Sequence, residues 1–200
     1  RSPSSPISAW KRRSTPSAAA RCCRIVSNCR RAIPAKPWPL DEITRSPKHE
    51  GLLQLIVRRP RIGAREILEE ADLDPAVGLV GDTWSERRST RTADGSPHPD
   101  MQLNIMGART IALLAQSKER WPLAGDQLFI DLDLSEHNLP PGTRLALGSA
   151  VIEVTSEPHT GCGKFVERFG ADAMRFVNSP TGRQLRLRGL AVLDQRDRRL

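Results

Sequence analysis

Glycine and proline interrupt the apolar runs of this chain so often that few segments have room for a long helix. The 200 residues include 14 glycines and 16 prolines. The short apolar stretches between them include GLLQLIVRRP, MQLNIM, AGDQLFIDLDL and SAVIEVT. Apolar runs of this length, bounded by turn residues, are typical of β-strands. The pattern predicts a mainly β fold with a few helices, of barrel or mixed α+β type.

Two segments have helical spacing instead. In ARTIALLAQSKERW the apolar residues fall on one face, and the helix is predicted to end at Trp121, which precedes a proline. The segment KFVERFGADAMRFV, which follows Cys162, has the same kind of spacing. Residues 65–71 are compatible with either a strand or a helix.

The second half of the chain reads as a series of strands. AGDQLFIDLDL, NLPPGTRLALG and SAVIEVT are spaced as in an antiparallel meander, and QLRLRGLAVL alternates well enough for a closing strand. The long polar stretch SERRSTRTADGSPHPD is predicted to be an exposed loop.

The net charge of +8 is confined to the first quarter of the chain. Residues 1–50 hold 11 Lys and Arg against 3 Asp and Glu, whereas residues 51–200 hold 20 of each class. Because residues 1–50 also lack a hydrophobic period, they are predicted to be a disordered leader, either a transit peptide or a segment that is not native. Residues 51–200 are predicted to be one domain. Nucleic acid is not an expected partner, since the basic segment lacks interleaved aromatic residues.

The apolar runs and the cysteines bear on location. No run of about 18 apolar residues occurs, so no membrane contact is predicted and the protein is expected to be cytoplasmic. Cys22, Cys23 and Cys29 cluster without a fourth ligand, which is neither a disulfide framework nor a zinc pattern. Reduced thiols are therefore expected.

Cys162 lies between two glycines in EPHTGCGKFVERF, after a predicted strand and before a predicted helix. Glycine opens backbone conformations closed to other residues and lets a ligand approach closely. A helix beginning near Gly163 would favour a thiolate, and His159 and Lys164 would add positive charge. The segment predicts either a reactive thiol or a small buried side chain, the common state of a free cysteine.

Several motifs in order make the segment from Gly51 to Arg188 resemble a MOSC domain, the module named for the C-terminal part of molybdenum cofactor sulfurases. They are GLVGDTW, LNIMGARTIALLA, AGDQLFIDLDL, LPPGTRLALGSAVIEVT and PHTGCGKF, the last with Cys162 at the position of the family's cysteine. The resemblance is closest to stand-alone bacterial members and implies a β-barrel. The ending RGLAVLDQRDRRL departs from the family's glycine-rich final strand region, so the closing strand is expected to be altered or absent.

The resemblance implies that the chain binds a molybdenum–pterin cofactor (molybdopterin), carries sulfur through Cys162, or does both. As a carrier, Cys162 would hold sulfur as a persulfide and deliver it to a metal centre or another acceptor. As a ligand, its sulfur would bind molybdenum. A molybdoenzyme or a sulfur-donor protein is the implied partner, and pyridoxal phosphate binding is a further association of the family. The alternative is a non-catalytic module that binds the cofactor or a partner and uses Cys162 structurally. Turnover of a substrate by the chain itself is left open.

Five residues are candidate ligands of the cofactor. Asp82, in GLVGDTW, either orients a ligand or forms a turn. Asn104 and Arg109 match the family's Asn and Arg in LNIMGAR, where the arginine would grip a pterin phosphate or form a structural ion pair. His159 and Lys164 flank Cys162 and complete the set.

Other charged residues have weaker patterns. His98, in the long polar loop, faces either a ligand or solvent. Arg168 and Arg175 lie seven residues apart in the predicted helix and share a face, where they bind an anion or contact water. The arginines of VRRPR are predicted to guard the edge of a strand.

Overall fold

The computed structural model describes residues 22–27 and 40–194. Within them the strands are Cys22–Ser27 (β1), Glu50–Arg58 (β2), Glu66–Leu68 (β3), Leu73–Asp74 (β4), Gly78–Leu79 (β5), Leu103–Gly107 (β6), Leu128–Asp131 (β7), Arg144–Leu147 (β8), Ala150–Val154 (β9) and Leu190–Asp194 (β10). The α-helices are Leu40–Thr44 (α1), Ala108–Ala115 (α2), Gly163–Val177 (α3) and Pro180–Gln184 (α4). Short 3-10 helices span Trp84–Glu86, Pro99–Met101 and Lys118–Ala124.

Eight of the strands form one sheet in the order β1-β8-β9-β10-β6-β7-β2-β3, and β4 pairs with β5 alone. Because β1 pairs with both β8 and β2, seven of the strands close into a barrel, and β3 extends the sheet beyond β2. The pairs are antiparallel except β6 with β7 and both pairs of β1. The prediction of a mainly β, mixed α+β fold of barrel type is confirmed.

The C-terminal strand lies in the middle of the sheet. β10 pairs with β9 on one side and β6 on the other, and Val192 lies opposite both Val154 and Leu103. The closing strand predicted in QLRLRGLAVL is therefore present, and the expectation that it is absent was wrong. The strand begins only at Leu190, because the preceding residues form α4 and a turn that ends at Gly189.

The predicted meander is half right. β8 and β9 form an antiparallel hairpin, as expected. β7 does not extend it, because β7 pairs with β2 and β6 instead. Spacing along the chain predicts strands well, but it does not say which strands become neighbours.

The sheet separates two apolar clusters. One fills the barrel and includes Leu53, Leu103, Leu128 and Ile152, and the other packs α2 and α3 against the outer face. Along β2 the pairing register with β7 shifts between Leu53 and Leu55. This bulge lets Leu53 face the interior while Leu55 faces the helices, as an irregular strand does when one extra residue is inserted.

Both predicted helices are shorter or less regular than expected. α2 ends at Ala115, because Gln116 adopts a left-handed backbone (φ 63°), and Trp121 lies in the following 3-10 helix. α3 is broken at Gly170 (φ 88°, ψ 164°). Residues 65–71 include the short strand β3 rather than a helix. The polar loop contains two 3-10 turns.

Part of the predicted leader belongs to the folded body. β1 lies in the sheet and α1 buries Ile43, so ordered structure precedes the predicted boundary at Gly51. Residues 1–21 and 28–39, which include Cys29, lie outside the described residues. No helix in the described ranges has the length and apolar character needed to cross a bilayer.

Candidate functional site

The side chain of Cys162 is exposed on the loop that joins β9 to α3. Its backbone is extended (φ −119°, ψ 176°), and its carbonyl accepts hydrogen bonds from the N–H groups of Phe165 (2.9 Å) and Val166 (3.2 Å). Cys162 is thus the N-cap of α3, and the predicted strand-to-helix junction is confirmed. The alternative of a small buried cysteine was wrong.

The two flanking glycines have different roles, and neither needs a left-handed backbone. A β-carbon at Gly161 would come within 2.5 Å of the Met174 sulfur, so glycine lets the loop lie directly on α3. At Gly163 a β-carbon would meet nothing within 4 Å. At Gly161 it is therefore Met174, and not a ligand, that approaches the backbone closely. At Gly163, on the other side of Cys162, the space is open.

The break at Gly170 limits what α3 can do for the thiol. Only about two turns of helix follow Cys162 before the break, so few peptide dipoles align with it. The break also separates Arg168 from Arg175. Arg168 donates to the Leu123 carbonyl (2.8 Å), whereas Arg175 pairs with Asp172 on the surface. The predicted shared face of these arginines was wrong.

His159 anchors the Cys162 loop to the barrel. Its Nε2 lies 2.8 Å from Oδ1 of Asp126, whose carboxylate also accepts two hydrogen bonds from Arg188 (3.0 and 2.8 Å). Burial and then the charge of Arg188 hold the pKa of His159 below its usual value. The imidazole is therefore neutral at neutral pH, and the predicted positive charge of His159 beside Cys162 was wrong.

Asp126 is ionised in this cluster. Burial alone would raise its pKa, but the charge of Arg188, followed by the interaction with His159, outweighs burial and lowers it. Because a carboxylate only accepts hydrogen bonds, Nε2 of His159 must carry the proton that it donates. Nδ1 of His159 then keeps its lone pair.

Asp82 shapes its own loop. Its side chain is 0% exposed and accepts two hydrogen bonds from the Arg59 side chain, from Nε (2.8 Å) and Nη2 (2.7 Å). It also accepts from the backbone N–H groups of Arg59 (2.9 Å) and Trp84 (3.0 Å). With these donors in place the carboxylate has no face open to a cofactor, so Asp82 forms its turn, which was the alternative to a ligand role.

The two neighbouring arginines of VRRPR have different roles. Arg59 is buried, so the prediction that it guards a strand edge was wrong. Arg58 pairs with Glu66 across β2 and β3.

Residues 122–125, here called the arginine-bound turn, form the end of the 3-10 helix Lys118–Ala124 and its C-cap, Gly125 (φ 91°). The last carbonyl groups of a helix lack partners within it. Here each accepts from a different arginine: Pro122 from Arg65 Nε (3.1 Å), Leu123 from Arg168 Nη1 (2.8 Å), Ala124 from Arg188 Nη2 (3.1 Å) and Gly125 from Arg59 Nη1 (2.8 Å). The turn therefore gathers four guanidinium groups just before Asp126.

Arg109 lies at the opposite end of β7 from this turn. Its Nε donates to Asp131 (2.7 Å), the last residue of β7, and its Nη1 to the Glu42 carbonyl (2.7 Å). Asp126 precedes the start of β7, so the two places are separated by the length of the strand. Arg109 thus forms a structural ion pair, and the structure does not bring it to the Cys162 loop.

Two buried polar atoms near Asp126 have no hydrogen-bond partner among the described residues. They are Oδ1 of Asn104 and Nε of Arg188. The backbone N–H of Asn104 donates to Oε1 of Gln127 (2.9 Å), and the backbone carbonyl of Asn104 accepts from the N–H of Gln127 (3.1 Å). The two atoms thus lie on residues that contact Asp126 and Gln127; a donor group would satisfy Oδ1 of Asn104, and an acceptor group would satisfy Nε of Arg188.

Lys164 and His98 lie at the edges of the site. Lys164 follows Cys162 by two residues and is exposed. His98 is partly buried, with Nε2 3.8 Å from Oε1 of Glu157, and Nδ1 has no partner in the described structure. Glu157, which lies on the Cys162 loop, also binds Arg91 (2.6 Å). The polar loop therefore contacts the Cys162 loop through Glu157.

Phe165, one helical turn after Cys162, connects the Cys162 loop with the buried charges. The Arg188 guanidinium lies 4.8 Å from the centre of the Phe165 ring, and Phe165 is bound to the Cys162 carbonyl. The sequence did not point to Arg59, Asp126 or Arg188. Two local patterns could have marked Asp126 and Arg188: the Gly-Asp pair before β7 and the Arg-Gly pair before β10. Both patterns are common in turns, so neither identifies a site.

The described part of the chain contains no group of three or more His, Cys, Asp or Glu residues arranged to hold a metal ion. The predicted sulfur–metal bond would leave Cys162 as a lone protein ligand. The side chains of Cys22 and Cys23 lie outside what the structure describes.

No family model matches the chain, and no curated protein is similar to it. The crystal structure of the YuaD protein from Bacillus subtilis is similar, with 16% sequence identity and a TM-score of 0.50 over 72% of this chain and 86% of that one. A crystal structure described as that of a hypothetical protein has 21% identity and a TM-score of 0.47 over 71% of this chain. This chain spans 60% of the length of that protein. The likeness to YuaD establishes the fold alone.

Proposed function

We propose that the chain carries sulfur through Cys162 as a persulfide and binds a molybdenum–pterin cofactor beside it. The resemblance of its motifs to MOSC domains motivates the proposal. The observation that carries it is the exposed side chain of Cys162, held on a loop that His159 and Asp126 fix to the barrel. An accessible thiol on a fixed loop can meet both a donor and an acceptor.

The sulfur step needs a donor with a sulfane sulfur, such as a low-molecular-weight persulfide. The Cys162 thiolate attacks the terminal sulfur of the donor R–S–SH. A new S–S bond forms at Cys162 while the S–S bond of the donor breaks, and the donor leaves as the thiolate R–S⁻. Cys162 is then a persulfide, and no outside oxidant or reductant is required.

The residues around Asp126 suit a pterin. A pterin ring offers both donors and acceptors, and Oδ1 of Asn104 and Nε of Arg188 are buried atoms that lack partners in the described structure. The guanidinium groups at the arginine-bound turn suit the anionic phosphate of such a cofactor. Cys162 would supply the one thiolate for the metal. When bound, the cofactor would supply oxygen- or sulfur-transfer chemistry at molybdenum.

Of the predicted cofactor ligands, Asn104 and Lys164 remain in the proposal. His159 is retained as a positioning residue, because its bond to Asp126 holds the loop rather than adding charge. Asp82 and Arg109 are left out, since buried or structural ion pairs occupy both. The predicted molybdoenzyme or sulfur-donor partner, and the cytoplasmic location, stay part of the proposal, because the acceptor must be a free thiol and thiols stay reduced in the cytosol.

The second candidate is a non-catalytic module that binds the cofactor or a partner. A structural cysteine is expected to pack against apolar side chains, whereas that of Cys162 is exposed. The position of the thiol therefore favours the carrier.

The test treats the purified full chain with glutathione persulfide and maps the modified peptides by mass spectrometry. The expected result is one added sulfur on Cys162, removable by cyanide and absent in Cys162→Ser. Cys29→Ser is the matched control and should leave the modification of Cys162 unchanged. Modification spread equally over all four cysteines would contradict a dedicated carrier.

A second arm measures molybdenum and the fluorescence of released pterin in protein made in a host that synthesises the cofactor. Bound pterin is expected to be reduced in Asn104→Leu, which keeps the side-chain size but loses the acceptor. Protein that retains no pterin and forms no persulfide would exclude both halves of the proposal.

A further inference from the structure

Three arginines around the arginine-bound turn have no acidic partner among the described residues: Arg65, Arg87 and Arg168. The other two arginines of this region are neutralised, since Arg59 pairs with Asp82 and Arg188 with Asp126. The region therefore carries an excess of positive charge in its described part.

Arg65 and Arg168 are held at adjacent positions of the arginine-bound turn, and Arg87 is joined to the same region through Thr83, whose N–H donates to the Arg59 carbonyl (3.1 Å). Arg65 and Arg168 bind the successive carbonyls of Pro122 and Leu123, whose Cα atoms are about 3.8 Å apart as in any trans peptide. Burial, followed by the charges of Arg168 and Arg59, lowers the pKa of Arg65. Burial and then the charge of Arg59, with a smaller effect of Arg65, lower the pKa of Arg87.

The hydrogen bonds of these arginines do not compensate their charge. Arg65 and Arg168 donate to neutral carbonyl groups, and Arg87 donates to the hydroxyl of Thr83 (3.3 and 3.1 Å). Each guanidinium has five N–H donors, so each has donors left over. Arg65 and Arg168 are partly buried and Arg87 is exposed, so an ion can reach them from solvent.

We propose that Arg65, Arg87 and Arg168 form a binding site for a doubly charged tetrahedral oxyanion of the phosphate class. Such an ion has two negative charges to offset the repulsion and enough acceptors for several guanidinium donors. The ion is either free phosphate or the phosphate group of an organic ester. The site shares Arg65 and Arg168 with the phosphate contact of the proposed cofactor and extends that contact to Arg87, and it does not depend on the thiol chemistry of Cys162.

The experiment titrates inorganic phosphate into the full chain by isothermal calorimetry at constant ionic strength, with chloride as the competing anion. Arg87→Gln removes one exposed donor without disturbing the turn and is expected to weaken phosphate binding about tenfold. Arg88→Gln is the matched control, because Arg88 is the next residue, is also exposed, and loses the same positive charge on substitution. Its affinity is expected to stay within about twofold of the parent protein.

Absence of phosphate binding by the parent protein would overturn the site, and so would equal weakening by Arg87→Gln and Arg88→Gln, which indicates general surface charge. A second titration with phenyl phosphate separates the two sources. Tighter binding of the ester supports an organic ligand, and equal binding supports the free ion. Cys162→Ser should bind phosphate as the parent does, so failure of the sulfur proposal is distinguishable from failure of this one.

Discussion

His159 Nε2 lies 2.8 Å from Asp126 Oδ1, and the two side chains are only 10% and 0% exposed. This pair ties the loop that carries Cys162 to the segment that enters β7. Arg188 completes the group by neutralising the carboxylate. The position of the exposed thiol thus depends on buried charges, and those charges make the fold sensitive to pH.

Acid is expected to destabilise the protein through His159 and Asp126. The pKa of each is lowered in the fold, so the unfolded chain binds more protons as the pH falls and stability rises with pH. For His159 the loss begins as the pH drops below its usual value of 6.5. For Asp126 it begins near the usual value of 3.8 and continues through the lowered value. Urea midpoints should stay level from about pH 7.5 to about pH 6.5 and fall between there and about pH 5.

His159→Gln tests the assignment, because glutamine can still donate to Asp126 but does not titrate. The urea midpoint of this variant should change less over the same pH range than that of the parent protein. His137→Gln is the control, since His137 is exposed and should keep the slope of the parent. Identical slopes for His159→Gln and the parent would remove His159 as the origin of the effect.

Loss of the Asp82 carboxylate is expected to be among the most costly single changes. Asp82→Asn leaves Arg59 buried without a counter-charge, which costs about 3–5 kcal/mol in the free energy of unfolding. Glu66→Gln breaks the exposed pair with Arg58 and should cost only about 0–1 kcal/mol. Urea denaturation compares the two. Similar costs for both variants would show that burial of the Arg59 pair does not matter.

The strands were predictable because their signal is local. Short apolar runs and turn residues located β2, β6, β7 and β9 without any knowledge of their partners. The pairing of β10 with β6 and β9 joins residues far apart in the chain, and no local pattern encodes it. The break at Gly170 was visible as a glycine, but spacing alone did not predict that α3 changes direction there.

The candidate site was predictable only at Cys162 and in its loop. The sequence placed the cysteine correctly at a strand-to-helix junction, since flanking glycines and the start of helical spacing mark it. It could not pair Arg59 with Asp82, or Arg188 with Asp126, because each pair joins different strands or loops of the barrel. Charged residues in loops and at the ends of strands read as surface residues until the fold buries them.

Gly189 is expected to tolerate no side chain. Its φ is +109°, and a β-carbon there would overlap the Ile105 carbonyl oxygen across the β10–β6 pair. Gly189→Ala should therefore cost more than about 4 kcal/mol or prevent folding. Gly142→Ala is the control: Gly142 also has positive φ (+85°) but no atom within 4 Å of a β-carbon. It should cost about 1–2 kcal/mol from backbone strain alone. Equal losses in urea midpoint would contradict the role assigned to the close contact.

Alkylation of the native protein separates the sulfur carrier from the binding module. Because the Cys162 side chain is exposed, iodoacetamide should modify it in the absence of denaturant, at a rate that unfolding in urea changes little. Peptide mapping distinguishes Cys162 from Cys22, Cys23 and Cys29. Prior treatment with glutathione persulfide should alter the mass of the labelled Cys162 peptide by one sulfur. Labelling of Cys162 that appears only after unfolding would mean that the thiol is closed to solvent, and the binding module would then be the better description.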